Sequence, residues 1–409
     1  MSIDSFTYPL AIIGGGPAGL AAAVSAAKMK PIVVDAGPAL SDRVKDDPQT
    51  VVSGVGGAGL YSDGKFSFWP SATGLWKLRS DYLHVAYEWL RRVLGDVGTD
   101  APDLPTALDI PDYRLVKKYD SKYVSQVKRE KIIGSLAGEV PNFSLGSRVD
   151  SVCWADRAWK LTFKDQRVIY ADRILIATGR FGPAFMSDWL PRDAWRALRL
   201  EVGIRIEQHN NAFFLDAVNQ TDPKFIFRDD LSGTEWRTFC CCRSGRVIKT
   251  AIGGLTTASG RADAPFTEYS NVGFNVRITD PTAAEPLWLS LRQRIESAGE
   301  LAQQPLAEFA MTGRGPLADV FGDELTESLR HGIGRLVGHF GSSVLADATA
   351  IGPALEGVVF YPRHTDSLAV EHAPHVWVAG DAAGTFRGLT AALLSGYVAG
   401  LAIARTEFS

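Results

Sequence analysis

The sequence predicts an α/β fold: a domain built on a central parallel sheet, discontinuous along the chain, with a β-rich α+β domain inserted into it. Three stretches carry that expectation. The apolar run Leu10-Ala11-Ile12-Ile13 leads into Gly14-Gly15-Gly16-Pro17-Ala18-Gly19, a helical stretch over 17–28, a second apolar run at 31–34 and then Asp35. This is the order of a dinucleotide fingerprint, with the acid about 20 residues past the first glycine. Near the other end, His375-Val376-Trp377-Val378-Ala379 reads as a buried strand closed by Gly380-Asp381, and between the two lies the apolar strand 172–176 ending in Ala177-Thr178-Gly179.

Each fingerprint position has a physical task. Gly14 lets the chain turn out of the strand, Gly16 lets backbone approach a pyrophosphate, and Gly19 lets helix and strand pack closely. Pro17 and Ala18 open the helix, whose N-terminal N–H groups favour phosphate. Asp35, followed by Ala36, suits the two hydroxyls of a ribose, and its charge would repel a 2′-phosphate. The site therefore suits FAD or NAD better than NADP.

The carboxy-terminal piece selects FAD. It resembles flavoproteins in which a strand-end aspartate holds the ribityl chain, which implies that role for Asp381 beside Gly380. The helix predicted over 388–404, opening at Gly388-Leu389-Thr390, points its N-terminus at the pyrimidine end of the flavin, where it stabilises negative charge on the reduced ring. The strand from Ser147, with Val149, meets the adenine edge. The fold expected is thus a Rossmann-like FAD domain formed by 1–188 and 351–409, with a substrate domain at 189–350.

The elements between follow in order. The run from Ser53 to Lys65 is a glycine-rich loop whose N–H groups can cover pyrophosphate or flavin, with Gly56, Gly57, Ala58, Ser62 and Asp63 as contacts. Helical patterns occupy 81–94 and 121–136, and a β-rich stretch occupies 143–168. Beyond Arg180, residues 202–207 alternate at period two, and 236–242, 246–252 and 271–278 also read as strands. Helices are expected at 284–297 and 323–340. No second strand-GxGxxG-helix-acid unit lies between Arg180 and Val358, since Gly332-Ile333-Gly334 falls inside a helical pattern. A dedicated NAD(P)H domain is not expected.

Composition narrows the class. The 409 residues, 46% hydrophobic and 22% charged, are enough for two domains. The net charge of −3 argues against a nucleic-acid partner. The basic stretch from Lys117 to Lys131 reads as a solvated helix face. Neither uncharged run, at 8–27 or 388–404, reads as a membrane span, because glycines interrupt the first and the second is short and explained. A cytoplasmic protein is expected. The four cysteines, Cys153 and Cys240-Cys241-Cys242, make no disulfide framework, and no histidine completes a metal-ligand spacing. On a regular strand Cys240 and Cys242 share one face and Cys241 takes the other.

The chain resembles the family of FAD-dependent, or NAD(FAD)-utilising, dehydrogenases of uncharacterised substrate. The resemblance rests on 54–65 (family pattern close to G-x-G-G-A-G-x-x-S-D-G-K), on 201–207, on Thr238-Phe239-Cys240-Cys241-Cys242 and on 379–396 with Phe386-Arg387-Gly388. More distantly, the layout is similar to the glutathione-reductase/hydroxybenzoate-hydroxylase superfamily, which implies a discontinuous FAD domain. Two departures stand out. Arg243-Ser244-Gly245 replaces the family's Pro-Gly-Gly, and an amino-terminal domain common in the family does not precede the fingerprint here.

The resemblance implies a FAD-dependent oxidoreductase that takes a hydride from a small organic substrate onto flavin N5. NAD(P)H, a quinone, oxygen or an electron carrier is the candidate redox partner. The other reading within the class is a monooxygenase or reductase in which NAD(P)H visits the flavin directly. The reading from another class is a flavoprotein with an RNA-modifying or structural role. Candidate catalytic residues are Lys65, as a positive charge near flavin or an anionic substrate, Cys240 and Cys242 as redox thiols, and Arg387 as an orienting cation.

Overall fold

The structure, a computed structural model, describes residues 7–109, 115–229, 233–262 and 266–406. It divides into two units: unit 1 holds 1–110, 122–196 and 360–409, and unit 2 holds 111–121 and 197–359.

Unit 1 is built on a parallel sheet ordered Val376–Val378, Ile174–Ile176, Ala11–Ile13, Ile32–Asp35, Asn142–Leu145. Ile12 lies opposite both Leu175 and Val33. The three strands at 11–13, 174–176 and 376–378 are buried throughout, which is why they read as unbroken apolar runs rather than alternating ones. The chain adds its first three strands in one direction, then returns to place the fourth beside the first. That reversal falls between Ala11–Ile13 and Ile174–Ile176, and crevices for ligands form at such switch points, beyond the carboxyl ends of the strands. A second sheet in unit 1 is the meander Val149–Ala155, Ala158–Phe163, Val168–Ala171, with Thr7–Tyr8 added in parallel.

Two helices from opposite ends of the chain close over each other. In Leu389–Arg405, Gly396 and Gly400 are four residues apart and so share one face. A Cβ on Gly396 would lie 2.0 Å from Ala18 O, and one on Gly400 would lie 2.0 Å from Ser25 Oγ. Only glycine lets this helix press against Pro17–Ser25. A neighbouring side of Leu389–Arg405 stacks Tyr397 on Trp89 of Ser80–Gly95, with centroids 4.4 Å apart. Among the described residues no helix is long and apolar enough to cross a membrane.

Unit 2 is a largely antiparallel sheet ordered Ala302–Pro305, Thr349–Pro362, Trp195–His209, Tyr269–Ile278, Thr234–Cys242, Lys224–Asp229, Val116–Lys117. One face is apolar and is covered by Asp323–Phe340, where Trp236 donates its Nε1–H to Ser328 O at 2.8 Å. The hairpin Arg246–Ile252 and Leu255–Arg261 turns at Gly253-Gly254, both at positive φ, the backbone a two-residue turn demands.

Two expectations are corrected. The helix expected over 121–136 begins at Gln126, capped by Ser125, because Ser121–Tyr123 is already extended. The basic stretch is not one helix face either. Lys117 and Lys122 lie on strands, and Arg129 is buried with its guanidinium on backbone carbonyls. Charge spacing carries no information about which cation an interior needs.

The helix contact makes a sharp prediction. Gly396→Val should cost about 1–3 kcal/mol or more, since a carbonyl occupies the new side chain's place. Gly334→Ala, on an exposed face of Asp323–Phe340 with nothing within 4 Å of its Cβ, should stabilise by about 0.5–1 kcal/mol. Urea midpoints moving the same way in both variants would contradict this packing.

Candidate functional site

The glycine fingerprint resolves into residues with different reasons. Gly14 sits at φ +115°, and a Cβ there would lie 2.3 Å from Ala177 O, so the first strand can cross the Ala177 end only as glycine. A Cβ on Gly19 would lie 1.8 Å from Gly14 O. Gly16 is different. Its φ is −73°, and a Cβ would meet only Gly57 Cα at 3.8 Å, an ordinary contact. Nothing among the described residues requires glycine at 16, so the space beside it suits a ligand. It is also the N-cap of Pro17–Ser25, and no side chain caps that helix.

Asp35 ties three loops together. Its Oδ2 accepts the Gly15 N–H at 2.7 Å, and its Oδ1 accepts the Gly37 and Gly54 N–H groups, both at 2.8 Å. A carboxylate has room for about four hydrogen bonds, so about one acceptor position remains for a hydroxyl. Ala36 is exposed beside it. Gly146 N donates to Gly37 O at 3.0 Å, which brings the start of the Val149–Ala155 strand, with Val149 buried, close to the Asp35 turn.

The glycine-rich loop is anchored to the fingerprint and held from within by cations. Gly56 N donates to Gly15 O at 2.8 Å, and a Cβ on Gly57 would lie 3.0 Å from Gly16 Cα. Arg43, buried, donates to the carbonyls of Thr50, Val51, Val55 and Gly57 at 2.8–3.0 Å. Burial pulls its guanidinium down to about 10, opposed by Tyr61 and Asp35, so it stays charged at neutral pH. Arg129 grips the carbonyls of Leu60 and Ser62. Ala58 lies in the short turn Gly57–Gly59, and Ser62 donates back to Gly59 O. Lys65 is buried and paired with Asp63 at 3.2 Å.

The carboxy-terminal residues meet the same crevice. Ala379 N donates to Ile176 O, and Gly380, at φ +67°, has no room for a Cβ because Ala18 Cβ would lie 2.9 Å away. Asp381 follows, its Oδ2 accepting from Arg180 Nε at 3.3 Å and from Arg387 Nε at 3.4 Å. Thr178 turns its hydroxyl to Met186 Sδ, and Gly179 takes φ +73°. Gly388, at φ +96°, opens Leu389–Arg405, again with no side-chain cap. Leu389 packs against Gly59, and Thr390 is buried with a hydroxyl oxygen that has no hydrogen-bond partner among the described residues. A buried hydroxyl left so is costly unless a ligand meets it. The residues present therefore fit a nucleotide cofactor lying between two helix N-termini.

Sequence reasoning missed Arg43, Arg129 and Arg180. Arg43 and Arg180 stand outside any periodic pattern, and Arg129 was read only as part of a solvated face, because their partners are carbonyls and a distant aspartate.

In unit 2 the non-helical face of the sheet is polar and buried. Glu201 accepts from Arg199 Nε at 2.9 Å and from Arg277 Nε at 2.6 Å, with Arg237 at 3.6 Å. Glu201, Arg277 and Glu235 stand opposite one another on neighbouring strands, which places them on this one face. Burial, reinforced by Arg237 and Arg277, holds Lys224 well below the usual lysine range and lowers Lys117 to about 8. The sequence showed these residues only as alternating charges. Cys240 and Cys242 adjoin this face at a β-bulge between Phe239 and Cys242, correcting the expectation of a regular strand.

No protein-family model matches the chain, and no curated protein matches it in sequence. Solved structures similar to it include the tetracycline destructase Tet(51), 14% identical with a TM-score of 0.40 over 96% of this chain and 80% of that one. NikD, an unusual amino acid oxidase essential for nikkomycin biosynthesis, is 13% identical in its open form, with a TM-score of 0.47 over 97% and 94%. OTEMO in complex with FAD and NADP is 17% identical with a TM-score of 0.26, over 48% of this chain and 29% of that one.

Two outcomes follow from the buried cations. Arg43→Met should destabilise by about 3 kcal/mol or more, since several carbonyls lose their donor, and Arg43→Lys should restore little, having fewer donors in another geometry. Urea unfolding, with proteolytic nicking between Val44 and Lys65, reads both effects. Lys117 releases its proton at about 8 when folded against 10.5 ordinarily, so the unfolded chain binds more protons in that window. Stability should therefore rise with pH from about 8 to about 10.5, and Lys117→Met should flatten that rise.

Proposed function

We propose that unit 1 holds FAD and that the chain is a flavin-dependent oxidoreductase acting on a small organic substrate, with unit 2 as its substrate domain. The observation that carries this reading is the open position beside Gly16, at the switch point of the parallel sheet, facing a helix N-terminus that no side chain caps.

The N–H groups of Gly16, Ala18 and Gly19 would bind the pyrophosphate, and the partial positive charge of Pro17–Ser25 favours its anionic oxygens. Asp35 and Ala36 would take the adenosine ribose at the acceptor position left beyond three backbone donors, with Val149 at the adenine edge. Gly56, Gly57, Ala58, Ser62 and Asp63 would cover the phosphates and ring, on a loop kept rigid by Arg43 and Arg129. Ala177, Thr178, Gly179 and Gly380 would line the turn of the cofactor. Asp381 would accept a ribityl hydroxyl, its position held by Arg180 and Arg387. Gly388, Leu389 and Thr390 would meet the pyrimidine edge, the Thr390 hydroxyl gaining there the partner it lacks among the described residues.

Flavin, when bound, supplies two-electron chemistry by accepting a hydride at N5. The chain's contribution is electrostatic. The N-terminus of Leu389–Arg405 favours negative charge at that edge, and the Lys65–Asp63 pair brings a buried cation to the covering loop. The cationic sheet face of unit 2, with Arg237 and Arg277, suits an anionic substrate.

Purified protein should be yellow, absorbing at about 450 nm. Gly16→Val should abolish flavin retention while leaving the far-UV circular dichroism unchanged, because its side chain enters open space rather than protein. Anaerobic bleaching by an organic substrate supports the dehydrogenase reading, and bleaching by NADPH alone supports a monooxygenase or reductase. Colourless protein that takes up no FAD on reconstitution would overturn the proposal.

A further inference from the structure

Cys240, Cys241 and Cys242 end the strand Thr234–Cys242, and none of them is in a disulfide. In a regular strand, side chains two residues apart stand about 6.6 Å from each other. Here they come closer. The ladder to Tyr269–Ile278 shifts register between Phe239 and Cys242, and Cys240 takes φ +47°, an unusual conformation for a residue with a Cβ. The bulge brings Cys240 Sγ within 4.0 Å of Cys242 Sγ.

A guanidinium stands beside the pair. Arg205, fully buried on the neighbouring sheet face, donates from Nη2 to Cys240 O at 2.8 Å and reaches Cys242 Sγ at 3.7 Å. Asn271 Oδ1 accepts its Nε–H at 3.0 Å and holds it in place. A Cβ on Gly260 would lie 2.2 Å from Nη2, so the hairpin strand passes over the guanidinium only as glycine. Burial alone would pull Arg205 down, but the two sulfurs, with Glu356 also facing it, hold it above the usual arginine range. Exposure divides the pair: Cys240 is partly accessible, while Cys242 is buried.

We infer that Cys240 and Cys242 form a redox-active dithiol that exchanges two electrons with small organic disulfides, Cys240 being the attacking thiol and Cys242 the resolving one. Cys240 gives up its proton, and its sulfur bonds to one sulfur of the incoming disulfide. The disulfide bond breaks, and the departing half leaves as a thiolate that takes up a proton. Cys242 then loses its proton and attacks the Cys240 sulfur, expelling the second half as a thiol. Two protein thiols are oxidised to one disulfide, and one external disulfide is reduced to two thiols. Rotation about the Cα–Cβ bonds closes the sulfurs from 4.0 Å to the bonding distance of about 2.05 Å. Arg205 acts as a positioning residue.

The test uses the full chain carrying Cys153→Ala and Cys241→Ala, treated with bis(2-hydroxyethyl) disulfide at pH 7.5. Both remaining thiols should disappear together, with the cysteine-bearing peptide losing two hydrogens in mass and no adduct accumulating. With Cys242→Ser added, a hydroxyethylthio adduct should persist on Cys240. With Cys240→Ser added, Cys242 should react at least about tenfold more slowly, because it is buried. Arg205→Met should slow alkylation of Cys240 at pH 7.5 by about tenfold, and Arg205→Lys should recover part of that rate. Persistence of both thiols in the parent protein would overturn the inference. So would a stable adduct on Cys240 while Cys242 is still present, or equal reactivity of the two cysteines.

Discussion

Backbone packed so closely that no volume is left for a Cβ is the constraint on which unit 1 rests. It occurs where Gly14 meets Ala177, where Gly19 meets Gly14, where Gly380 meets Ala18, and where Gly396 and Gly400 meet the fingerprint helix. Together these contacts draw three strand ends and two helices to one point, although the residues come from opposite ends of the chain. Of the three glycines at the GxGxxG positions, only that at 16 is not required by any of them. Packing explains most of the motif, and the exception is where a ligand fits.

A loop rich in glycine is poorly specified on its own, since glycine loses more conformational freedom on folding than any other residue. The 54–64 loop is ordered from beneath. Arg43 and Arg129 collect its carbonyl oxygens, and Asp35 collects amides from both the fingerprint turn and the loop. Both guanidiniums give hydrogen bonds to backbone carbonyls of the loop. The loop's shape is therefore decided before any ligand arrives, which is the preorganisation a cofactor site needs.

Unit 2 uses its sheet in two ways. The face under Asp323–Phe340 is apolar and carries Trp236 against the helix, while the other face buries Glu201 among arginines and places Arg205 against a bulged pair of cysteines. A buried carboxylate surrounded by guanidiniums is expensive to desolvate and is tolerated when its geometry is well satisfied. Such a face is a poor means of gaining stability, and its chemistry is a better reason for it.

Local chemistry alone determined a good part of this. The fingerprint order, the carboxy-terminal strand with Gly380-Asp381 and the helix at 323–340 were legible because apolar runs, glycines and helical periodicity act within a few residues of one another. The start of the helix at Gln126, the burial of Arg129, the bulge at Cys240 and the strands Lys224–Asp229 and Thr349–Pro362 were not. Only tertiary structure decided those, and it also decided that Asp35 binds three amides and that Asp381 lies between Arg180 and Arg387. The physical reason is the same each time. A hydrogen bond or ion pair between residues dozens or hundreds of positions apart leaves no periodic trace, because the partner is chosen by the fold that brings it near.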